Sequence, residues 1–260
     1  MTQSGGYRER NSTADRTLSL LQMFTDDRTE ITAADVASSL GVARSTAYRY
    51  LESLGSSGFL ADTGRGTFVL GFRILELARI ARRGYGLSEI CRPAMRELAL
   101  EFKQTVLLTK RMGTSVVCLE REESPQQYIR LSYERGTVLS LNAGASALVL
   151  LAWLPESDVR ELLAGVTLPR FNRNTLVDVD SILERLAQIR ERGYAMSSGE
   201  VDPSVQGVAC PVFDRDDRVV AAVSVVLIKS MVAPVEVDEI TDRLVSLAEE
   251  LSGQVRLLGQ

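Results

Sequence analysis

The sequence predicts an α+β chain in two parts: a small N-terminal helix–turn–helix unit with a β-hairpin wing, then a larger unit of antiparallel strands and helices. Three observations predict it. Residues 32–71, TAADVASSLGVARSTAYRYLESLGSSGFLADTGRGTFVLG, hold two helical periods hinged at Gly41 and then a glycine-tipped strand pair. Beyond residue 104, strand-like runs over 106–112, 116–121, 128–133, 138–141, 205–213 and 219–228 are joined by short turns. Helical periods over 88–103, 145–154, 155–163, 178–192 and 235–258 are interleaved with them, which is the α+β pattern.

The elements follow in order. Residues 1–12 are polar and glycine-containing and read as a mobile arm, with Arg8, Arg10 and the nearby Arg16 solvated. Leu18, Leu21, Gln22 and Phe24 mark a first helix, capped by Ser12 or Thr13 and ended at Asp26-Asp27-Arg28. Thr32 is the N-cap of the next helix, with Asp35 three residues on, where a capping box places its acid. Val36, Ala37 and Leu40 face inward, and Gly41 supplies the positive φ of a sharp turn. In the helix from Ala43 to Leu54, Ala47, Tyr50, Leu51 and Leu54 form the buried stripe. Arg44, Ser45, Tyr48, Arg49 and Glu52 remain on the outer face. Gly58 closes this helix, and the turn 62–66 joins strands beginning at Phe59 and Thr67, with Arg65 at its tip.

That outer face has the inventory of a DNA-reading helix. Arginine grips guanine through two hydrogen bonds, and hydroxyls hold phosphates or base edges. The expected DNA-binding residues are Arg44, Ser45, Thr46, Tyr48, Arg49 and, in the wing, Arg65 reaching phosphate or a minor groove. The alternative is a winged helix that works through protein contacts, in a metabolite-sensing co-regulator.

Phe72 to Arg83 then reads as a helix with a broad apolar stripe of Ile74, Leu75, Leu77, Ala78 and Ala81, which needs a partner surface. Gly84-Tyr85-Gly86 marks a boundary. The expected domains are therefore 1–71 for the winged unit, 72–86 for a linker helix and 87–260 for the remainder. In the remainder, Ser88 is expected to cap its helix, with Pro93 close enough to the start to be tolerated. Asp178 or Asp180 opens the helix that Gly193 ends.

Composition narrows the classes. The chain has 260 residues and a net charge of −4, but residues 1–84 carry eleven Arg, no Lys and nine acids, a net of +2, leaving −6 for the rest. The mild positive bias coincides with the winged unit. The sequence has no histidine, which removes the commonest general base and metal ligand. No Gly-x-Ser-x-Gly elbow, P-loop or Cys/His cluster is present, so no catalytic residue, metal site or cofactor is expected. Cys91, Cys118 and Cys210 are far apart and read as buried small hydrophobes in a reducing compartment. The longest apolar run, Val219–Ile228, is well short of the ~20 residues of a membrane helix, so the expected location is cytoplasmic, with no membrane contact.

Three stretches, ARSTAYRYLESLGSSGFL, FVLGFRILELA and SILERLAQIRERGYAMSSGEVDPSVQGVACPVFD, together resemble the IclR family of bacterial transcription regulators, over nearly the whole chain from Thr13 onward. The resemblance implies a winged helix, a linker helix used in dimerisation and a C-terminal GAF/profilin-like effector domain. It also implies homodimers or dimers of dimers on palindromic double-stranded operators, controlled by small metabolites, often carboxylates or aromatic acids. The positions it implies for the effector are the loop and helix start at Asn142, Ala143, Gly144, Ala145 and Ser146, offering backbone N–H groups to an anion, and Ser197, Val205, Gly207, Ser224 and Val226. Here the chain departs from the family pattern. Ala147-Leu148 stands where many members carry Gly-Lys, Asn142 where histidine is common, Ser197 where some have an acid, and Val226 at a position that can be serine. These changes remove polar and charged groups from the expected pocket. The expected effector is then larger or more apolar than a two- or three-carbon acid, in the manner of an aromatic acid.

Overall fold

The computed structural model describes residues 13–257 apart from 26, 85 and 127–132, with the side chains of 81–84 also left aside. The N-terminal arm and most of the strand expected over 128–133 lie outside the described residues. Two compact units divide the chain between residues 84 and 85.

In the first unit the order is α1 (Thr13–Leu21), β1 (Ile31–Thr32), α2 (Ala33–Leu40), α3 (Arg44–Ser56), β2 (Leu60–Asp62), β3 (Thr67–Leu70) and α4 (Phe72–Gly84). Its core is Leu20, Ile31, Val36, Ala47, Leu51, Leu54, Leu60 and Phe68. The expectation for α1 needs correcting in end and phase. The helix stops at Leu21, where the Met23 N–H turns back to the Leu20 carbonyl, and Thr25 bridges Arg28. Leu20 is fully buried, whereas Leu18 is 59% exposed. Met23 and Phe24 reach the core from the turn, so the apolar spacing there is not one helical face. The two-residue strand β1 was not read either; it pairs with β3 and makes the wing a three-stranded sheet.

The capping box is present. The Asp35 N–H donates to Thr32 Oγ1 at 3.2 Å, and the Thr32 N–H donates to the Asp35 carboxylate at 2.8 Å. Arg28 adds an ion pair to Asp35 at 3.1 Å. These bonds, chiefly those to Thr32, hold the Asp35 carboxyl below its ordinary pKa. Gly41 follows in the left-handed region at φ 62° and turns the chain into α3.

Gly71 is the tightest point of the unit. Its N–H donates to the Phe59 carbonyl at 2.7 Å and the Arg73 N–H to the Gly58 carbonyl at 3.1 Å, so α4 begins against the backbone that ends α3. A Cβ on Gly71 would lie 2.2 Å from the Gly58 carbonyl oxygen, a backbone atom that cannot give way. Beyond this point α4 keeps apolar side chains in solvent within the single chain: Phe72, Leu75, Leu77 and Ile80 are all exposed.

The second unit contains α5 (Leu87–Phe102), β4 (Thr105–Met112), β5 (Ser115–Glu122), β6 (Val138–Leu139), α6 (Ala145–Ala152), α7 (Glu156–Ala164), α8 (Val179–Arg192), β7 (Ala195–Ser198), β8 (Val205–Phe213), β9 (Val219–Ile228) and α9 (Pro234–Leu257). Its antiparallel sheet runs β6-β5-β4-β9-β8-β7. Successive side chains of a strand point to opposite faces, and the two faces are used differently. Val208, Cys210 and Val212 of β8 and Val223, Val225 and Leu227 of β9 pack with α5 and α9. Ala209 and Ala222 face the layer of α6, α7 and α8. Ser88 does not cap α5: Gly86 is the N-cap, and Ser88 is buried in the first turn with its Oγ unpartnered. Asp178 does cap α8, accepting from the Ser181 N–H at 2.9 Å, and Gly193 ends that helix at φ 82°. All three cysteines are buried; burial pushes the thiols of Cys91 and Cys210 up to about 12 and that of Cys118 up to about 11, so they stay protonated and act as small hydrophobes.

Two substitutions separate these causes. Gly71→Ala is expected to lose at least ~2 kcal/mol in urea unfolding of the full chain, because the clash is with backbone. Gly55→Ala, inside α3 with open space around its Cβ, should be neutral or gain ~0.5–1 kcal/mol. Thr32→Ala should cost ~1 kcal/mol near neutral pH in the same measurement. Because its folded pKa is depressed, Asp35 contributes stability that is fully present above the unfolded carboxylate pKa of about 4. An acid titration of unfolding should show that contribution lost as pH falls through Asp35's lower folded value.

Candidate functional site

Two sites are built in this chain, one in each unit. In the first, Gly41 and the Val42 N–H bond to the Ala37 carbonyl (3.1 Å) set the start of α3 at Arg44. Because Ala47, Leu51 and Leu54 must be buried, Arg44, Ser45, Tyr48 and Arg49 emerge on the opposite face, exposed, with Thr46 half-buried at its edge. The first turn of α3 has no acidic residue and no side-chain cap, so its free N–H groups and positive dipole end stand beside two guanidiniums. Arg44, Arg49 and Arg65 make no ion pair or hydrogen bond through their side chains among the described residues. Arg65 is held out at the wing tip between Gly64 and Gly66, both at positive φ. There the Gly64 N–H donates to the Asp62 carboxylate at 2.8 Å. A cationic helix face with a cationic wing beside it can grip a phosphate backbone and reach base edges.

The second site lies in the C-terminal unit, on the sheet face that carries small residues. Antiparallel register sets Ser197 opposite Gly207, Gly207 opposite Val226, and Ser224 opposite both Ala209 and Leu107. Alternation then turns Gly207, Ser224, Val226 and Leu107 toward the start of α6, where Ala145, Ser146 and Ala147 are also small. Small residues on both sides leave a cavity of about 250 Å³. A Cβ on Gly207 would already come within 3.0 Å of Ser197 Oγ, so glycine keeps this space open. Ser146 and Ser224 satisfy one another across the floor at 2.9 Å.

Of the effector positions expected from the sequence, Ala145, Ser146, Ser197, Val205, Gly207, Ser224 and Val226 all line this cavity, as do Ala143 and Gly144. Asn142 does not. It is fully buried behind the wall, donating to the carbonyls of Pro169 (3.1 Å) and Leu176 (2.6 Å) and accepting from Ser140. Its amide needs those acceptors, and so it anchors the loop 169–176 that carries the lining residue Phe171.

A second correction concerns charge. Glu200, unread in the sequence, sits in the wall 8% exposed, and its carboxylate accepts the Gly144 N–H at 2.8 Å. The cradle expected to be open to an anion thus has one of its N–H groups taken by the protein's own acid. The pocket is not stripped of charge. Burial raises the Glu200 pKa, against the opposing pull of the Gly144 N–H and of Arg185. Glu200 also ties the loops together: its backbone carbonyl accepts from Thr175 Oγ1 at 2.7 Å. Tyr133, Phe171, Leu107 and Asp202 are among the lining residues that sequence reading did not find. Tyr133 is half-buried, its phenol pushed up by burial and then by Asp202. The only signal for Glu200 was an acid just past a glycine at a strand end, a pattern that ordinary surface turns share. Among the described residues no group of three His, Cys, Asp or Glu side chains could hold a metal.

Comparison with known proteins places each unit in a known domain family. The IclR helix-turn-helix domain matches residues 13–64, and the C-terminal domain of bacterial IclR transcriptional regulators matches residues 80–253. The HTH-type transcriptional regulator BhcR of Paracoccus denitrificans is 30% identical over 96% of this chain and 88% of its own length. The crystal structure of an IclR transcriptional regulator from a Silicibacter species superposes with a TM-score of 0.81 at 27% identity, covering 94% of this chain and 96% of that one. An IclR homologue from Microbacterium hydrocarbonoxydans, solved in complex with 4-hydroxybenzoate, has the same fold: TM-score 0.80, 24% identity, 94% of this chain and 99% of that one. With an exposed recognition-type helix in one unit, a cavity in the other and family models matched over residues 13–64 and 80–253, the chain belongs to the IclR family of bacterial DNA-binding transcriptional regulators.

Proposed function

We propose that this regulator carries its effector in the cavity at the start of α6 and reads a palindromic operator as a homo-oligomer. The observation that carries the reading is the pairing, in one chain, of a cationic α3 face, whose arginines are unpaired among the described residues, with a mostly apolar cavity in a separate unit. Arg44 and Arg49 would contact bases or phosphates in the major groove, with Ser45, Thr46 and Tyr48 beside them and Arg65 on the flanking backbone. Helix α4 would form most of the linker expected over residues 72–86. Its exposed Phe72, Leu75 and Ile80 would be covered by a second subunit, as a dimer or a dimer of dimers. Two α3 helices must then match two half-sites at once, so a change in their spacing changes affinity. An effector shifts that balance only by its differential affinity for the two arrangements, typically ~1–3 kcal/mol. A regulator that meets DNA works in the cytoplasm, and no described helix is long and apolar enough to cross a membrane.

The cavity's size and lining favour a one-ring, largely apolar effector, an aromatic acid among the candidates. A dry cavity of about 150 Å³ takes a benzene ring, so 250 Å³ leaves room for a ring with one or two substituents. Tyr133, Phe171, Leu107, Val205 and Val226 provide the apolar contact such a ring needs. In the same fold, the Microbacterium homologue holds 4-hydroxybenzoate.

The test of the DNA reading is fluorescence anisotropy of the full chain on the DNA upstream of its own gene, beside a random duplex. Saturable binding that exceeds the random duplex and weakens as salt rises is expected. Arg49→Ala should lose ~1–3 kcal/mol on that operator and discriminate less at one base pair; unchanged affinity would remove Arg49 from the interface. For the effector, calorimetry should find one-ring compounds binding and pyruvate or glyoxylate not binding at micromolar Kd. Micromolar binding of either small acid would overturn the size argument.

A further inference from the structure

Helix α3 carries an acid in the middle of its outer surface. Ala47, Leu51 and Leu54 are buried, and Tyr50 packs against the same core. At about 100° per residue, the direction opposite these four side chains runs along Ser45, Arg49, Glu52 and Ser56, each within about 30° of it. All four are exposed. Arg44 and Tyr48 lie to one side of this ridge, Thr46 and Ser53 to the other. A helix is ~10–12 Å across and the major groove ~12 Å wide, so a helix seated there turns its flanks to the two phosphate walls and its outermost ridge to the base edges. The ridge therefore holds the base-reading positions, and Glu52 is as outward on it as Arg49. Glu52 lies three residues beyond Arg49, ~4.5 Å along the axis, against a base-pair rise of ~3.4 Å. The i,i+3 spacing would let the two side chains pair, yet no ion pair joins them among the described residues. Each can take a base pair of its own.

We propose that Glu52 reads a base: its carboxylate accepts from the N4 amine of a cytosine in the major groove, within one or two base pairs of the guanine that Arg49 grips, and fixes that position of each half-site as cytosine. This rests on the reading of α3 as the helix that enters the groove. A carboxylate only accepts hydrogen bonds, and phosphate oxygens repel it, so a donor on a base edge is the partner that DNA can offer there. Cytosine presents N4 alone as its major-groove hydrogen-bonding group. Adenine sets the N7 acceptor beside its N6 donor, and guanine and thymine present acceptors and no donor on that edge. A base without a donor leaves the carboxylate facing acceptors in a desolvated groove, so the wrong base is actively refused.

The test is selection of the full-length protein's sites from a pool of randomised duplexes, repeated with Glu52→Gln, Glu52→Ala and Arg49→Ala. Position 52 is exposed, and glutamine and alanine are good helix formers, so folding is retained. The unaltered protein should enrich a cytosine near a guanine in each half-site. Glu52→Gln should change that cytosine to adenine, since glutamine pairs adenine through N6 and N7. Glu52→Ala should leave the position degenerate, with the rest of the site unchanged. In fluorescence anisotropy, replacing the cytosine should weaken the unaltered protein about tenfold or more and the Glu52→Ala protein by less than about twofold. A selected site that is the same with Glu, Gln and Ala at position 52 would overturn the proposal. So would a Glu52→Ala protein that binds every duplex, random ones included, more tightly by one factor, as removal of an acid beside phosphates would give. Arg49→Ala separates two failures: if it relaxes the guanine while the three forms at position 52 agree, only the role of Glu52 falls. If neither position alters the selected site, or no site is enriched, the placement of α3 in the groove falls with it.

Discussion

The period-two alternation of side chains in the six-stranded sheet is the constraint on which the second unit depends. One set of β8 and β9 residues, Val208, Cys210, Val212, Val223, Val225 and Leu227, fills the layer under α5 and α9. The intervening set, Gly207, Ala209, Ala222 and Ser224, is small, and it faces a helix whose own first residues are small. A sheet packed on both faces by large residues would have no room for a ligand. The same strands therefore give a stable core on one face and a cavity on the other. The division is made by which alternate positions hold large side chains. A register slip of one residue would exchange the two sets and destroy both.

What closes the cavity is polar and comes from loops. Asn142 holds the carbonyls of Pro169 and Leu176, Thr175 holds the Glu200 carbonyl, and Glu200 holds the N–H of Gly144. Each bond satisfies a backbone group that would otherwise be buried alone, so the loops are fixed by the cost of leaving those groups unpaired. The bonds also link the loops to the start of α6. A ligand that engages Glu200 or the α6 N–H groups thereby acts on the same network that positions α6 and the loop carrying Phe171. This gives an effector a physical means of favouring one arrangement of the unit over another.

In the first unit, burial and exposure on α3 are two sides of one requirement. Ala47, Leu51 and Leu54 must leave water, and helical geometry then commits Arg44, Ser45, Tyr48 and Arg49 to solvent. The same logic leaves α4 with more apolar surface than its unit can cover, because Gly71 allows the chain to leave the wing only close against Gly58 and Phe59.

The sequence by itself determined whatever depends on neighbours a few residues apart. The Thr32–Asp35 box, the Gly41 turn, the outward arginines of α3 and the long strands 205–213 and 219–228 were all legible, because caps, turns and periodicity act locally. Part of the cavity lining was legible too, through positions that the family resemblance carried over. Tertiary structure decided the rest. The phase of α1 depended on which leucine reached a core built by distant elements, and the small strand β1 exists only because β3 lies beside it. Asn142 sits behind the cavity wall and Glu200 within it, because three loops far apart in sequence close on the start of α6. The charge at the polar end of the cavity follows from that closure, since a buried carboxylate's partner is chosen by spatial proximity and by the need to satisfy a desolvated N–H, neither of which has a spacing in the sequence.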